Sequence, residues 1–213
     1  HAAGCRFATG SGVTRLSESW LIVGLGNPEA RYLRNRHNVG QMVLDVLAGR
    51  AGGSFVNHRQ VARIAQVRIG MLPGGAPGPK AILAKSNSFM NTSGGPVKNL
   101  MQYFSISPDH LLVIHDELDI PEHELRLKLG GGENGHNGLK SISTALGTRD
   151  YARLRVGIGR PVGRQSVTDF VLADFPKATL TQWATTLEQA ADAVEEVVTL
   201  GLAKAQMRLH TGN

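Results

Sequence analysis

Leu21-Ile22-Val23-Gly24-Leu25 is a short apolar run that stops at Gly26-Asn27-Pro28. A run of that length closed by turn residues reads as a buried strand. Beyond it, Val39, Met42, Val43, Val46 and Leu47 recur at helical spacing until Gly52-Gly53 ends the pattern. Residues 61–69 alternate like a strand, 73–79 form a Gly- and Pro-rich hairpin tip, and Ala81-Ile82-Leu83-Ala84 is another strand. A helical stripe of Val97, Leu100, Met101 and Phe104 follows, with Pro96 tolerated in its first turn. Leu111-Leu112-Val113-Ile114 is a second buried strand, running into His115-Asp116-Glu117. Leu125, Leu127 and Leu129 alternate with Arg126 and Lys128, so that strand has one basic face. After a glycine-rich loop at 130–135 come a helix over 137–146, a strand over 154–159 and a long helical region over 178–208. Strands alternating with helices predict a single α/β domain over 20–213, a mostly parallel, twisted mixed sheet with helices on both faces.

Composition agrees with one globular domain and excludes several alternatives. The chain has 213 residues, 41% hydrophobic and 19% charged, which is enough apolar surface for a core. Cys5 is the only cysteine, so neither an intrachain disulfide nor a cysteine-rich zinc site forms. The apolar runs fall far short of the roughly 20 residues a membrane span needs. Residues 1–19 are rich in Gly, Ser, Thr and Ala, and are expected to be a disordered or processed lead. The net charge is +6. Residues 126–164 hold eight basic residues against Glu133 and Asp150, so this stretch carries all of it. Such a surface suits a polyanion such as RNA, or is simply a solvated basic face. Lys140 and Arg153 are candidates on charge alone.

Polar clusters stand where the core strands end: Asn27-Pro28 with His37-Asn38, Asn91 within residues 88–94, Asp116, and Gly135-His136-Asn137-Gly138. Open α/β sheets bind ligands beyond the carboxyl ends of their strands, where these clusters would converge. Each also has a local reading. Asn27 before proline is a common turn former. Asp116 suits a cap or a solvated strand end, Asn38 and Asn137 suit N-caps, and the glycine-rich loop suits a hinge.

Taken together, Asn-Pro, Arg-His-Asn, Phe-Met-Asn-x-Ser-Gly, Asp-Glu-Leu-Asp, Leu-Gly-Gly-Gly-x-x-Gly-His-Asn-Gly-Leu-Lys-Ser and Arg-Leu-Arg-Val-Gly-Ile-Gly-Arg-Pro resemble the bacterial-type peptidyl-tRNA hydrolases. The resemblance runs from about Leu21 through the final helix. Glu29, Asn35, Ser86 and Ser88 depart from the usual spelling, and none of them replaces a catalytic residue. The resemblance implies hydrolysis of the ester between a peptide and the 3′-terminal ribose of tRNA. It implies His37 as general base, Asp116 as its partner and Asn27 as a catalytic carboxamide. It further implies that Asn91, Asn137, His136, Tyr32 and Met90 contact substrate, and that Lys128 and Arg155 contact tRNA phosphates. The chemistry suits these residue types. Imidazole has an ordinary pKa of about 6.5, and carboxamides offer uncharged donors to a developing oxyanion. No metal or cofactor is expected, and the resemblance implies a cytoplasmic monomer.

Other classes fare worse. Gly24-x-Gly26 follows a strand as in a dinucleotide site, but the third glycine position falls on Glu29 and no helix starts there. A non-catalytic RNA-binding module leaves His37, Asp116 and Asn27 without a task. A peptidase or amidase in the same cleft differs in cutting amides rather than the ester.

Overall fold

The computed structural model describes residues 19–211. The expected lead therefore lies, apart from Ser19, outside the described residues. These form one sheet of seven strands: β1 Trp20–Gly24, β2 Val56–His58, β3 Ala62–Arg68, β4 Lys80–Ser86, β5 Leu111–Glu117, β6 Leu125–Leu129 and β7 Ala152–Gly157. Their order across the sheet is β2-β3-β4-β1-β5-β7-β6. The central strands β4, β1, β5 and β7 are parallel, and the flanking β3, β2 and β6 are antiparallel. The helices are α1 Val39–Ala51, α2 Gly94–Tyr103, α3 Asn137–Leu146, α4 Val167–Val171, α5 Leu180–Leu200 and α6 Leu202–Thr211.

Alternate residues of each central strand enter two separate cores, which is why these strands read as unbroken apolar runs. Ile22, Leu83, Ile114 and Leu154 pack with Val43 and Leu44 of α1 and Val194 and Val197 of α5. Leu21, Val23 and Val113 face the other way, toward Val97 and Leu100 of α2 and Leu139 and Ile142 of α3. Helices thus cover both faces, as the sequence predicts.

Three departures have physical causes. The expected long C-terminal helix breaks at Gly201, whose φ of +87° no helix accommodates. The break turns α6 onto the open edge of β6. There Gln206 Nε2 donates to the Leu127 carbonyl at 3.0 Å and the Leu127 amide donates to His210 Nε2 at 3.1 Å. Side chains thereby satisfy backbone groups of an edge strand that would otherwise invite another chain. Second, β5 does not stop at Ile114; His115, Asp116 and Glu117 stay in register with Arg155, Val156 and Gly157 of β7. Asp116 is therefore fixed inside a strand. Third, Arg153 is 1% exposed and is not a surface cation. Its guanidinium donates to the carbonyls of Gly132 and Arg149 and lies 4.7 Å from the centre of the Tyr151 ring. It braces the glycine-rich loop from below, so its candidacy as an RNA contact falls.

Helix α1 lies unusually close to the sheet. A Cβ on Gly40 would overlap the Ile114 carbonyl oxygen, and one on Gly24 would lie 2.5 Å from the Gly40 carbonyl oxygen. Alanine at an ordinary helical glycine stabilises by about 0.5–1 kcal/mol. Here the sign reverses, because backbone on both sides blocks the new methyl group. Gly40→Ala is expected to destabilise the fold by about 3 kcal/mol, with the loss falling where α1 meets β1 and β5. Calorimetry should show a Tm lower by about 6–12 °C; an unchanged or raised Tm would show that the close approach is not rigid.

Candidate active site

That close approach sets the entrance of α1 against the carboxyl ends of β1 and β5. His37 sits in a 3-10 turn over Arg36–Asn38, immediately before α1. Asn38 makes no capping bond to the helix. Its side chain instead clips the turn after β1, accepting from the Asn27 amide at 2.9 Å and donating to the Asn27 carbonyl at 3.0 Å. Asn27 Oδ1 in turn accepts from the Met90 amide at 2.8 Å. The Asn27 carboxamide is thereby held at both backbone and side chain, and its Nδ2 hydrogens remain for the cavity.

Asp116, 3% exposed in its side chain, lies between two imidazoles. His37 Nδ1 stands 2.9 Å from Oδ2, and His136 Nε2 stands 2.9 Å from Oδ1. The Nδ1–H of His37 donates to the carboxylate, which leaves its Nε2 as the nitrogen able to take a proton. Burial drags the His37 pKa down, but the charge and hydrogen bond of Asp116 outweigh it, so the net value lies above 6.5. For Asp116 burial works upward and is overcome by the two imidazoles, which hold its pKa far below the usual carboxylate range. His115, wholly buried on the same strand, is pushed down to about 3, chiefly by burial.

Asn27, His37, Met90, Asn91, Asp116, His136 and Asn137 all line one cavity of about 670 Å³. Seven sequence-stretched candidates from four separate segments thus meet in one place. Tyr32 does not line the cavity. It sits in a turn five residues before His37, beneath the Arg31 guanidinium at 4.7 Å. Lys128 and Arg155 line a different, larger depression of about 1130 Å³ along β6, α5 and α6. The two hollows are linked by Glu117, which lines the first and stands 3.5 Å from the Arg155 guanidinium. Glu117 also accepts from Asn134 Nδ2 at 3.1 Å, tying the glycine-rich loop to the cavity floor. Arg126, Arg149 and Arg160 are each paired with a carboxylate, whereas among the described residues Lys128 and Lys140 make no ion pair.

Sequence reading missed the contribution of α4. Val167, Thr168 and Val171 of α4, with Leu172 just after it, also line the cavity. A signal was present: Ser166-Val167-Thr168-Asp169 is a capping pattern, and Ser166 Oγ does accept from the Asp169 amide at 3.1 Å. His37, Asp116 and His136 also present ligand atoms within 4.8 Å of one another. These atoms already face each other as N–H donors and a shared acceptor, so a cation would have to displace both hydrogen bonds.

Known proteins resemble this chain in both sequence and fold. The sequence family described as Peptidyl-tRNA hydrolase matches residues 21–213. A peptidyl-tRNA hydrolase of Kineococcus radiotolerans is 58% identical over 195 residues, covering 92% of this chain and 98% of that protein. One from an Arthrobacter species is 53% identical over 196 residues, covering 92% and 98%. The crystal structure of peptidyl-tRNA hydrolase from Acinetobacter baumannii superposes with a TM-score of 0.79 at 31% identity, covering 91% of this chain and 95% of that one. On sequence and fold alike, the chain belongs to the peptidyl-tRNA hydrolase family.

Proposed function

We propose that this chain hydrolyses the ester joining a peptide to the 3′-terminal ribose of tRNA, with His37 as general base. The observation that carries the reading is the 2.9 Å bond from His37 Nδ1 to buried Asp116, in a cavity shared with the held carboxamide of Asn27. His37 Nε2 removes a proton from water as the water oxygen bonds to the ester carbonyl carbon. Asp116 keeps the proton on Nδ1 beforehand and stabilises the imidazolium afterwards. Negative charge develops on the carbonyl oxygen, toward which Asn27 Nδ2 offers donors. The intermediate collapses, the bond to the ribose oxygen breaks, and that oxygen takes the proton back from His37. Water is the nucleophile, so no acyl-enzyme forms.

Asn91 and Asn137 are read as positioning the substrate, with Met90 and the carbon edge of the His136 ring beside the peptidyl end, whereas Tyr32, which does not line the cavity, is left without that role. Lys128 and Arg155 are read as phosphate contacts, which give affinity without reading sequence. The enzyme acts on this reading as a cytoplasmic monomer, to be checked by sedimentation. Among the described residues no helix is long and apolar enough to cross a membrane.

The direct test is release of an N-blocked amino acid from its tRNA by the purified protein, with and without a chelator. Ester cleavage unaffected by chelation, with a matched amide left intact, is expected; an intact ester would end the proposal. Lys128→Glu should raise KM for peptidyl-tRNA and lower the slope of log KM against log salt by about one to two. An equal loss on a small model ester would remove Lys128 from the RNA surface.

A further inference from the structure

Three imidazoles crowd around Asp116, and their surroundings are unequal. His136 is the N-cap of α3: its Nδ1 accepts from the amides of Gly138 at 3.1 Å and Leu139 at 3.4 Å. An atom that accepts two N–H bonds carries no proton, so the ring proton must sit on Nε2, where it points at Asp116 Oδ1. Protonating Nδ1 would both break the cap and set a cation at the positive end of the helix. His115 donates through Nδ1 to the Asp116 carbonyl at 2.7 Å, and its Nε2 is buried without a partner. The His136 ring bridges the set, 5.1 Å from the rings of both His37 and His115.

Resting on the hydrolase reading, we propose that His136 is a positioning residue locked as the neutral Nε2–H tautomer by the start of α3. It shares the Asp116 charge with His37 and, with both of its own nitrogens engaged, leaves His37 Nε2 as the ring nitrogen open to the cavity. The charge available to His37 is thereby divided. An unshared Asp116 would hold the His37 proton more tightly and keep the base blocked to a higher pH. The groups facing His136 are His37 from the turn before α1 and Asp116 and His115 from β5. Glu117 and Arg160 also line the cavity, and α4 and its C-cap bring the uncharged Val167, Thr168, Val171 and Leu172 to it. This departs from a role for His136 as a peptide contact through its nitrogens, since both are already engaged.

Nitrogen-15 imidazole spectra of the whole protein, assigned by single substitutions, test the tautomer directly. At pH 8 His136 should show an unprotonated Nδ1 and a protonated Nε2. A His136 that carries its proton on Nδ1 would overturn the proposal. In His136→Ser the hydroxyl retains a cap but not the donor to Asp116. The acid limb of kcat/KM should then move up by about one unit. A lowered plateau with an unmoved limb would reduce His136 to a structural cap. Wild-type protein that leaves peptidyl-tRNA intact would defeat the hydrolase reading, while the spectra would still decide the tautomer.

Discussion

Replacing His37 with alanine lowers kcat/KM for an N-blocked aminoacyl-tRNA by about 10²–10⁴-fold, the range general base catalysis supplies. Binding of deacylated tRNA stays within about twofold, because phosphate contacts set that affinity. The prediction rests on the absence of a second base. Asp116 is held as a weakly basic carboxylate by two imidazoles, His136 is engaged at both nitrogens, and His115 is buried. In the wild type, activity should climb with pH through a limb above 6.5, since Asp116 raises the His37 pKa against the pull of burial. The stability linkage has the matching sign. A histidine with a raised folded-state pKa contributes stability that is fully present below about 6.5 and fades as pH rises through the folded value. The substitution should therefore cost stability at acid pH and little at pH 8, where activity is measured. Steady-state kinetics with thermal melts at both pH values separate the two effects. A variant retaining a tenth or more of wild-type kcat/KM would remove His37 as the base.

The strands that carry the site were legible because parallel strands are buried on both faces and leave unbroken apolar runs such as 21–25 and 111–114. Clusters placed at the ends of those runs then converge for topological reasons, and Asn27, His37, Asn91, Asp116 and Asn137 do meet. What stayed hidden depends on partners distant in the chain. Asn38 reads locally as a helix cap, yet it spends its carboxamide on Asn27 eleven residues earlier. His136 reads as a cleft residue, yet it caps α3. Arg153 counts toward a basic surface, yet the Gly132 and Arg149 carbonyls hold it inside. Charge and capping propensity are properties of a residue; the group that accepts the hydrogen bond is a property of the fold. The extension of β5 through Asp116 was hidden likewise, because pairing with β7 overrides the polar spelling of residues 115–117.

Asp116→Asn should cost nearly as much as loss of the base itself, about 10²–10⁴-fold, and almost all of it in kcat. Asp116 acts through His37, so substrate binding has no reason to weaken and KM should hold. Two separate effects combine. The imidazolium formed as water attacks loses the charge that stabilises it. An asparagine that turns its amide hydrogens toward His37 Nδ1 also makes that nitrogen the acceptor, which moves the ring proton to Nε2 and blocks the base. The pH profile distinguishes this from simple disruption of the pocket. With the carboxylate gone, burial is the surviving influence on His37, and the acid limb should fall from above 6.5 to below it. Stability moves in the complementary direction. A carboxylate with a depressed folded-state pKa contributes stability above about 3.9 that is lost as pH falls, so the variant should show a flatter acid branch in its melting temperature. A variant with a reduced kcat whose limb stays above 6.5 would show that some other group sets the basicity of His37, and the Asp116 assignment would have to be given up.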